Sequence, residues 1–392
     1  MNKEKVWTKD FIIVSIANFV TFLVFLLLLV IIAPYAVDKY NASTSVAGLV
    51  AGIFIIGALI GRLGTGRIIE DMGSRRVLIA GSLFFIIATA LYFAAINLPL
   101  LIIIRLLHGI AFGIVSTASG TIVVQIIPGS KRGEGIGYFS MSAMLTLALG
   151  PFIGIFLIQH TNFTTIFVFN LVLAVISFAI SFAVNEPAYK SPGADQAKTA
   201  KSFPMANYFE LKALPLSIIS LIVCLSYSGI VPFISLYTKQ LQLEEIASFY
   251  FLVYAVTVLV SRPFSGRLLD VKGENFIMYP CLFIFAAGML LFSQASHGIT
   301  LLSAAILIGL GFGNFLTCAQ AISIKVVPPH RLGLATSTYF IFTDLGLGAG
   351  PFLLGFLIPF TGYRGLYLLM VILILATTVL YYFLHGRKAA AK

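Results

Sequence analysis

Long, unbroken apolar runs dominate this chain, and they lack the apolar–polar alternation of strands. Twelve runs stand out, at 11–36, 46–68, 76–96, 99–126, 136–158, 163–184, 214–236, 246–268, 276–295, 299–326, 334–358 and 364–385. About 20 apolar residues carry a helix across the ~30 Å hydrocarbon core of a bilayer. Backbone groups in hydrocarbon need partners inside the protein, which leaves helices or closed barrels. These runs are too long and too uniform for barrel strands. The pattern therefore predicts twelve helices, several joined by a single turn, as at Asn97-Leu98-Pro99 and His297-Gly298. The first run is too long for a cleaved leader and no small-residue cleavage site follows it, so it is expected to stay as the first helix.

Composition narrows the class. Of 392 residues, 59% are hydrophobic and 10% charged, against about 45–50% and about 25% in soluble domains. That balance excludes a soluble enzyme, a disordered tail and a disulfide scaffold. Cys224, Cys281 and Cys318 lie far apart in apolar runs, with no Cys-x-x-Cys or Cys/His spacing, so neither a metal nor a redox site is expected. The net charge of +11 would suit nucleic acid, but its placement gives another reason. With the N-terminus in the cytoplasm, 21 of the 25 Lys and Arg residues fall in cytoplasmic segments, among them Lys3, Arg62, Lys131, Lys190, Arg262, Arg331 and Arg387. Lys39, Lys239 and Arg364 fall opposite, and Arg105 lies inside the fourth run. The positive-inside rule then places both termini in the cytoplasm of a cell membrane, and no nucleic-acid partner is required.

The chain also reads twice, at an offset of two hundred residues. Arg62, Gly66-Arg67 and Gly73 return as Arg262, Gly266-Arg267 and Gly273. Gly109 and Gly113 return as Gly309 and Gly313, Pro128 as Pro328, Gly133 as Gly333, and Gly150-Pro151-Phe152 as Gly350-Pro351-Phe352. This predicts an all-α membrane protein of two pseudo-symmetric six-helix bundles, 1–184 and 213–392, joined by a polar cytoplasmic linker at 185–212. Two such halves, rocking about a shared site, argue for transport.

At these residues the chain resembles the major facilitator superfamily, in the branch of drug:proton antiporters and metabolite exporters. That family carries G-x-x-x-D-R-x-G-R-R/K between its second and third helices. Here the segment is Gly66-Arg67-Ile68-Ile69-Glu70-Asp71-Met72-Gly73-Ser74-Arg75-Arg76. Glu70 stands for Asp, and Asp71 and Ser74 replace basic residues. The fourth helix of proton-coupled members carries R-x-x-Q-G, here Arg105-Leu106-Leu107-His108-Gly109. The exporter motif G-x-x-x-G-P-x-x-G-G of the fifth helix is matched at Gly150-Pro151-Phe152-Ile153-Gly154, with Ile155 in place of the last Gly. The resemblance implies a conformational latch at Gly66, Glu70, Asp71, Gly73, Arg75 and Arg76, and a helix pivot or seal at Gly150, Pro151, Gly154, Gly350 and Pro351. It also implies that the first, fourth, seventh and tenth helices line a cavity.

Elementary chemistry ranks the remaining candidates. A charge at membrane depth is costly and must face protein or a water-filled cavity. Arg105 is the one basic residue inside a run, and Asp344 the one acid deep in any run. A desolvated carboxylate exchanges protons near neutral pH, which makes Asp344 the first candidate for proton coupling. Pairing with a cationic substrate and structural hydrogen bonding are its alternative roles. Arg105 either takes part in coupling or snorkels outward. His108, one turn on, either titrates or is a hydrogen-bonded core histidine. Asn18, Arg105, Tyr227, Asn314, Gln320 and Asp344 are the candidate substrate contacts.

The expected function is a secondary active transporter, a monomer in the lipid bilayer that exports small molecules in exchange for protons by alternating access. A dedicated exporter of a polar metabolite, such as a sugar or metallophore, and a nutrient importer are the alternatives. No Ser/His/Asp set, HExxH or P-loop appears, so neither an enzyme nor ATP drive is expected. The proton gradient serves as energy source without a cofactor.

Overall fold

Every apolar run in the computed structural model is helical, as the need for internal backbone partners dictates. The structure describes residues 6–128, 132–185, 210–327 and 332–389. The predicted linker (most of 185–212), Lys3, Lys131, Lys190, Pro328 and Arg331 lie outside the described residues. No strand occurs among the described residues.

The first six helices are α1 (Lys9–Tyr40), α2 (Thr44–Met72), α3 (Ser74–Ala90), α4 (Leu98–Ile126), α5 (Arg132–His160) and α6 (Phe163–Phe182). Then follow α7 (Leu214–Ser228), α8 (Ile230–Leu241), α9 (Glu244–Lys272), α10 (Glu274–Ser293), α11 (Gly298–Ile308), α12 (Asn314–Lys325), α13 (Leu332–Tyr381) and α14 (Arg387–Ala389). Turn chemistry sets the short connections. The Asn97 side chain accepts from the Leu100 amide at 2.9 Å, capping α4 just before Pro99. Asn162 does the same for α6 through Thr165.

Three departures from the predicted elements have local causes. The seventh run is divided at Gly229 into α7 and α8, three residues before Pro232, which cannot donate to the carbonyl one turn back. The tenth run contains a π-helical segment, Gly309–Gly313, between α11 and α12. The eleventh and twelfth runs merge into α13, within which Gly362 alone has non-helical angles (φ 65°, ψ 177°). Among the described residues eleven helices are long and apolar enough to cross a membrane, and the last, Ala335–Ala389, has 55 residues. At 1.5 Å per residue that length serves two crossings, with the chain reversing at Gly362.

The chain divides into two compact units. One is Met1–Tyr40 with Ile53–Thr199, the other Asn41–Gly52 with Ala200–Lys392. In the first unit α1 packs along α5 and against α4 and α6, while α3 packs on α4 and α6. Residues Leu26 to Ala36 of α1 are all buried, as expected of a helix that is apolar all round. Glycines let α2 and α4 cross with their backbones touching: a Cβ on Gly57 would strike the Leu106 carbonyl, and one on Gly109 the Phe54 carbonyl. The second unit repeats the scheme, with α7 along α13 and α10 against α11 and α13. It takes in the start of α2 because Ser45, Gly48 and Gly52 lie against the backbones of Gly355, Pro351 and Gly348, and Thr44 donates to the Gly355 carbonyl at 2.8 Å.

Candidate functional site

Arg105 stands on α4 about two turns after its Asn97 cap, about 12 Å along the rod at 1.5 Å per residue. It does not snorkel. Its side chain is fully buried, with the guanidinium carbon 4.6 Å from the centre of the Phe54 ring, a cation–π contact. Its Nη1 donates to the Tyr92 hydroxyl at 3.2 Å. That hydroxyl lies 3.1 Å from His108 Nδ1, and His108 Nε2 lies 3.2 Å from Thr89 Oγ1. Thr89 Oγ1 in turn donates to the Phe85 carbonyl at 2.7 Å.

The direction of this chain follows from its ends. A guanidinium only donates and a carbonyl only accepts. Tyr92 therefore accepts from Arg105, and with the imidazole neutral its own proton is directed to Nδ1. His108 carries its proton on Nε2 and gives it to Thr89. The arrangement holds one neutral tautomer of His108, with the ring packed against Phe85 (4.4 Å between centres) and Phe54 (5.2 Å). Arg105 and His108, singled out in the sequence, are thus brought together through Tyr92.

Asp344 lies in α13, half-buried, and within electrostatic reach of the Cys224 thiol on α7. Two residues on, Gly346 brings the two helices close: a Cβ there would meet the Leu221 carbonyl and the Cys224 side chain. Tyr227, also on α7, is buried and stacked on Phe312 at 4.0 Å and 11°. Asn314 is bound on all sides. Its Nδ2 donates to Ser261 and to the Leu310 carbonyl, both at 2.9 Å, and its Oδ1 accepts from Ser265 at 2.8 Å. Those bonds tie α12 to α9. Gln320 is half-buried on α12. In the first unit Asn18 is buried and donates to Ser142 on α5 at 3.1 Å.

The motif residues take distinct places. Gly73 supplies the turn between α2 and α3 with φ 85° and ψ 149°, angles that a side chain resists. Asp71 and Arg76 are exposed at this turn. Arg75 reaches the other way and donates to the Phe182 carbonyl at the end of α6 at 3.1 Å, where the helix dipole favours a cation. Gly66 and Glu70 fall in α2, but their surroundings lie outside the described residues. Gly150, Pro151 and Gly154 are buried. A Cβ on Gly150 would come within 2.7 Å of Leu26 Cβ, and one on Gly154 within 2.7 Å of Val30. Gly350 and Pro351 are also buried, and a Cβ on Gly350 would collide with Ser228. The two motif copies thus seat α5 on α1 and α13 on α7.

Several participants escaped the sequence reading. Tyr92, Thr89 and Phe54 complete the Arg105 chain, yet nothing in their spacing marks them, because partners of a buried charge come from neighbouring helices. Ser261 and Ser265 were missed for the same reason. Their i, i+4 spacing on the face opposite a buried Asn was the available signal.

The family model described as Major Facilitator Superfamily matches residues 14–313 and 216–392. An uncharacterized MFS-type transporter of Methanocaldococcus jannaschii is 24% identical, over 92% of this chain and 94% of its own length. The staphylopine export protein of Staphylococcus aureus is 21% identical, over 88% and 89%. The multidrug resistance protein MdtG of Klebsiella pneumoniae is 24% identical, over 98% and 95%. Among solved structures, a bacterial homolog of the human lysosomal transporter Spinster superposes with a TM-score of 0.79 at 14% identity, covering 100% of this chain and 99% of that one. The nucleoside transporter NupG superposes with a TM-score of 0.73 at 13% identity, covering 95% and 99%. These two similarities establish the fold alone. The duplicated six-helix pattern, the glycine-bearing turn after α2 and the match over nearly the whole chain agree: the protein belongs to the Major Facilitator Superfamily, and is a multi-span membrane transporter of small molecules rather than an enzyme.

Proposed function

We propose that this transporter exports small molecules in exchange for protons, by alternating access, with both termini in the cytoplasm of a plasma membrane. The observation that carries the reading is Asp344. It is an acid at membrane depth in α13, half-buried beside α7. A charge at that depth is costly and a protonated carboxyl is less so, which makes loading and unloading of Asp344 a means of coupling. Arg105 supplies a fixed cation in α4, and His108 steadies it through Tyr92. The relatives named for multidrug resistance and for staphylopine export support the export direction.

The test is transport by the full-length protein in proteoliposomes under an imposed pH gradient. Asp344→Asn is expected to abolish gradient-driven movement while eluting as a monodisperse, folded protein. Gradient-driven efflux at the unaltered rate by that variant would remove Asp344 from the mechanism.

A dedicated exporter of a polar metabolite is the second reading. It is favoured by the relative named for staphylopine export. Comparing exported metabolites and drug sensitivity in cells with and without the protein separates the two.

A further inference from the structure

The end of α13 and the start of α10 form a construction that the transport reading does not use. The segment Tyr382–Gly386 is π-helical, a rare geometry that recurs at functional positions. It is pinned from three sides. The Tyr381 hydroxyl donates to Asn275 Oδ1 at 2.9 Å, Asn275 Nδ2 donates to the Gly386 carbonyl at 2.8 Å, and His385 Nε2 lies 2.5 Å from Glu274 Oε2. Beside it runs an open groove of about 410 Å³, lined by Tyr279, Phe283, Thr378, Val379, Tyr382 and Phe383. Phe283, Val379, Tyr382 and Phe383 are each at least half exposed.

The groove has a charged head. Lys272 at the end of α9 holds its ammonium 4.7 Å from the Phe276 ring, and Phe276 precedes Tyr279 and Phe283 on one face of α10. Arg387 and Lys388 are exposed directly after the pinned segment, with Arg387 one turn beyond the groove residue Phe383. Glu274, at the start of α10, is turned inward onto His385, with 17% of its side chain exposed. The head of the groove is therefore cationic and its body apolar.

Apolarity alone selects nothing inside a bilayer, since lipid tails are as apolar as leucine. Exposed Lys and Arg at the end of a membrane helix do select, in favour of anionic headgroups. We propose that this groove binds an anionic diacyl phospholipid, one acyl chain lying against Tyr279, Phe283, Val379 and Phe383 and the phosphate facing Lys272, Arg387 and Lys388. A lipid so placed bridges α10 and the end of α13, reinforcing the tie that Asn275 and Glu274 make to the π-helical segment.

The probes are phosphatidylglycerol and phosphatidylcholine, added to the purified full-length protein and followed by native mass spectrometry. The unaltered protein is expected to retain phosphatidylglycerol over phosphatidylcholine by on the order of tenfold. The combined Lys272→Gln, Arg387→Gln and Lys388→Gln variant is expected to retain the two equally. Val379→Trp, which fills the groove, is expected to lose retained phosphatidylglycerol with all three cations in place. No preference in the unaltered protein, a preference that survives loss of the three cations, or a lipid-free dimer overturns the proposal. A second measurement needs no variant. Phosphatidylglycerol with a photoreactive tail, in nanodiscs of the unaltered protein, should label 276–283 and 378–383, and even labelling of all outward helix faces overturns the assignment.

Discussion

Tyr92 gives its hydroxyl proton to His108 Nδ1 across 3.1 Å while accepting from Arg105 at 3.2 Å. The histidine therefore acts on the arginine through a phenol. Removing that phenol leaves a buried guanidinium donor and a buried imidazole acceptor without this partner, at about 1–3 kcal/mol for an unsatisfied group. Tyr92→Phe is expected to lower thermal stability by about that amount. His108→Phe is expected to be similar, and the double variant less costly than the sum, because both break one chain. Melting curves of the four proteins in one detergent check this, and additive losses would separate the two residues.

Asn314 has its amide engaged with Ser261, Ser265 and the Leu310 carbonyl. Such a residue joins helices before it can read a cargo. Asn314→Ala is expected to cost about 1–3 kcal/mol of stability and to leave the ranking of transported compounds unchanged. Competition assays across a compound panel, beside a thermal melt, check both halves of the expectation.

The pivot glycines give a third expectation. A methyl group at position 350 would run into Ser228, and one at position 150 into Leu26. Overpacking of this kind costs about 1–3 kcal/mol. Gly350→Ala should lower the melting temperature, and adding Ser228→Gly should restore most of it. Gly150→Ala should be harder to rescue, because the Leu26 backbone lies within 3.2 Å of the added carbon. Paired melting measurements decide.

Gly273 has open space around the position of an added Cβ, yet its φ is 86° and its ψ 175°. This region is essentially restricted to glycine, unlike the left-handed helical region that asparagine tolerates. Gly273→Ala and Gly273→Asn are both expected to destabilise, by about 1–3 kcal/mol. Chemical denaturation of the two variants tests it, and rescue by Asn alone would contradict these angles.

The helices were legible because a bilayer demands long apolar segments and forbids unpaired backbone. Runs such as 11–36 and 163–184 could hardly be anything else. The merging of the last two runs around Gly362 was not legible, since only the torsion angles of that residue separate a reversal from a loop. The π-helical turns at Gly309–Gly313 and Tyr382–Gly386 were hidden for a related reason: their extra residue per turn is decided by packing against α10 and not by local pattern. At the candidate site, Arg105 and Asp344 announced themselves by charge in an apolar setting. Tyr92 and Thr89 did not, being ordinary polar side chains whose importance comes from the neighbour they meet.

The turns at Gly73 and Gly273 differ in φ by one degree, 85° against 86°, although the chemistry around them has diverged. Asp71, Arg75 and Arg76 flank the first, and Lys272, Glu274 and Asn275 flank the second. Both turns are charged, but they moor different partners: Arg75 holds the end of α6, whereas Glu274 and Asn275 hold the chain end. One backbone bend thus serves as a reusable fitting whose attachments are set by the side chains around it.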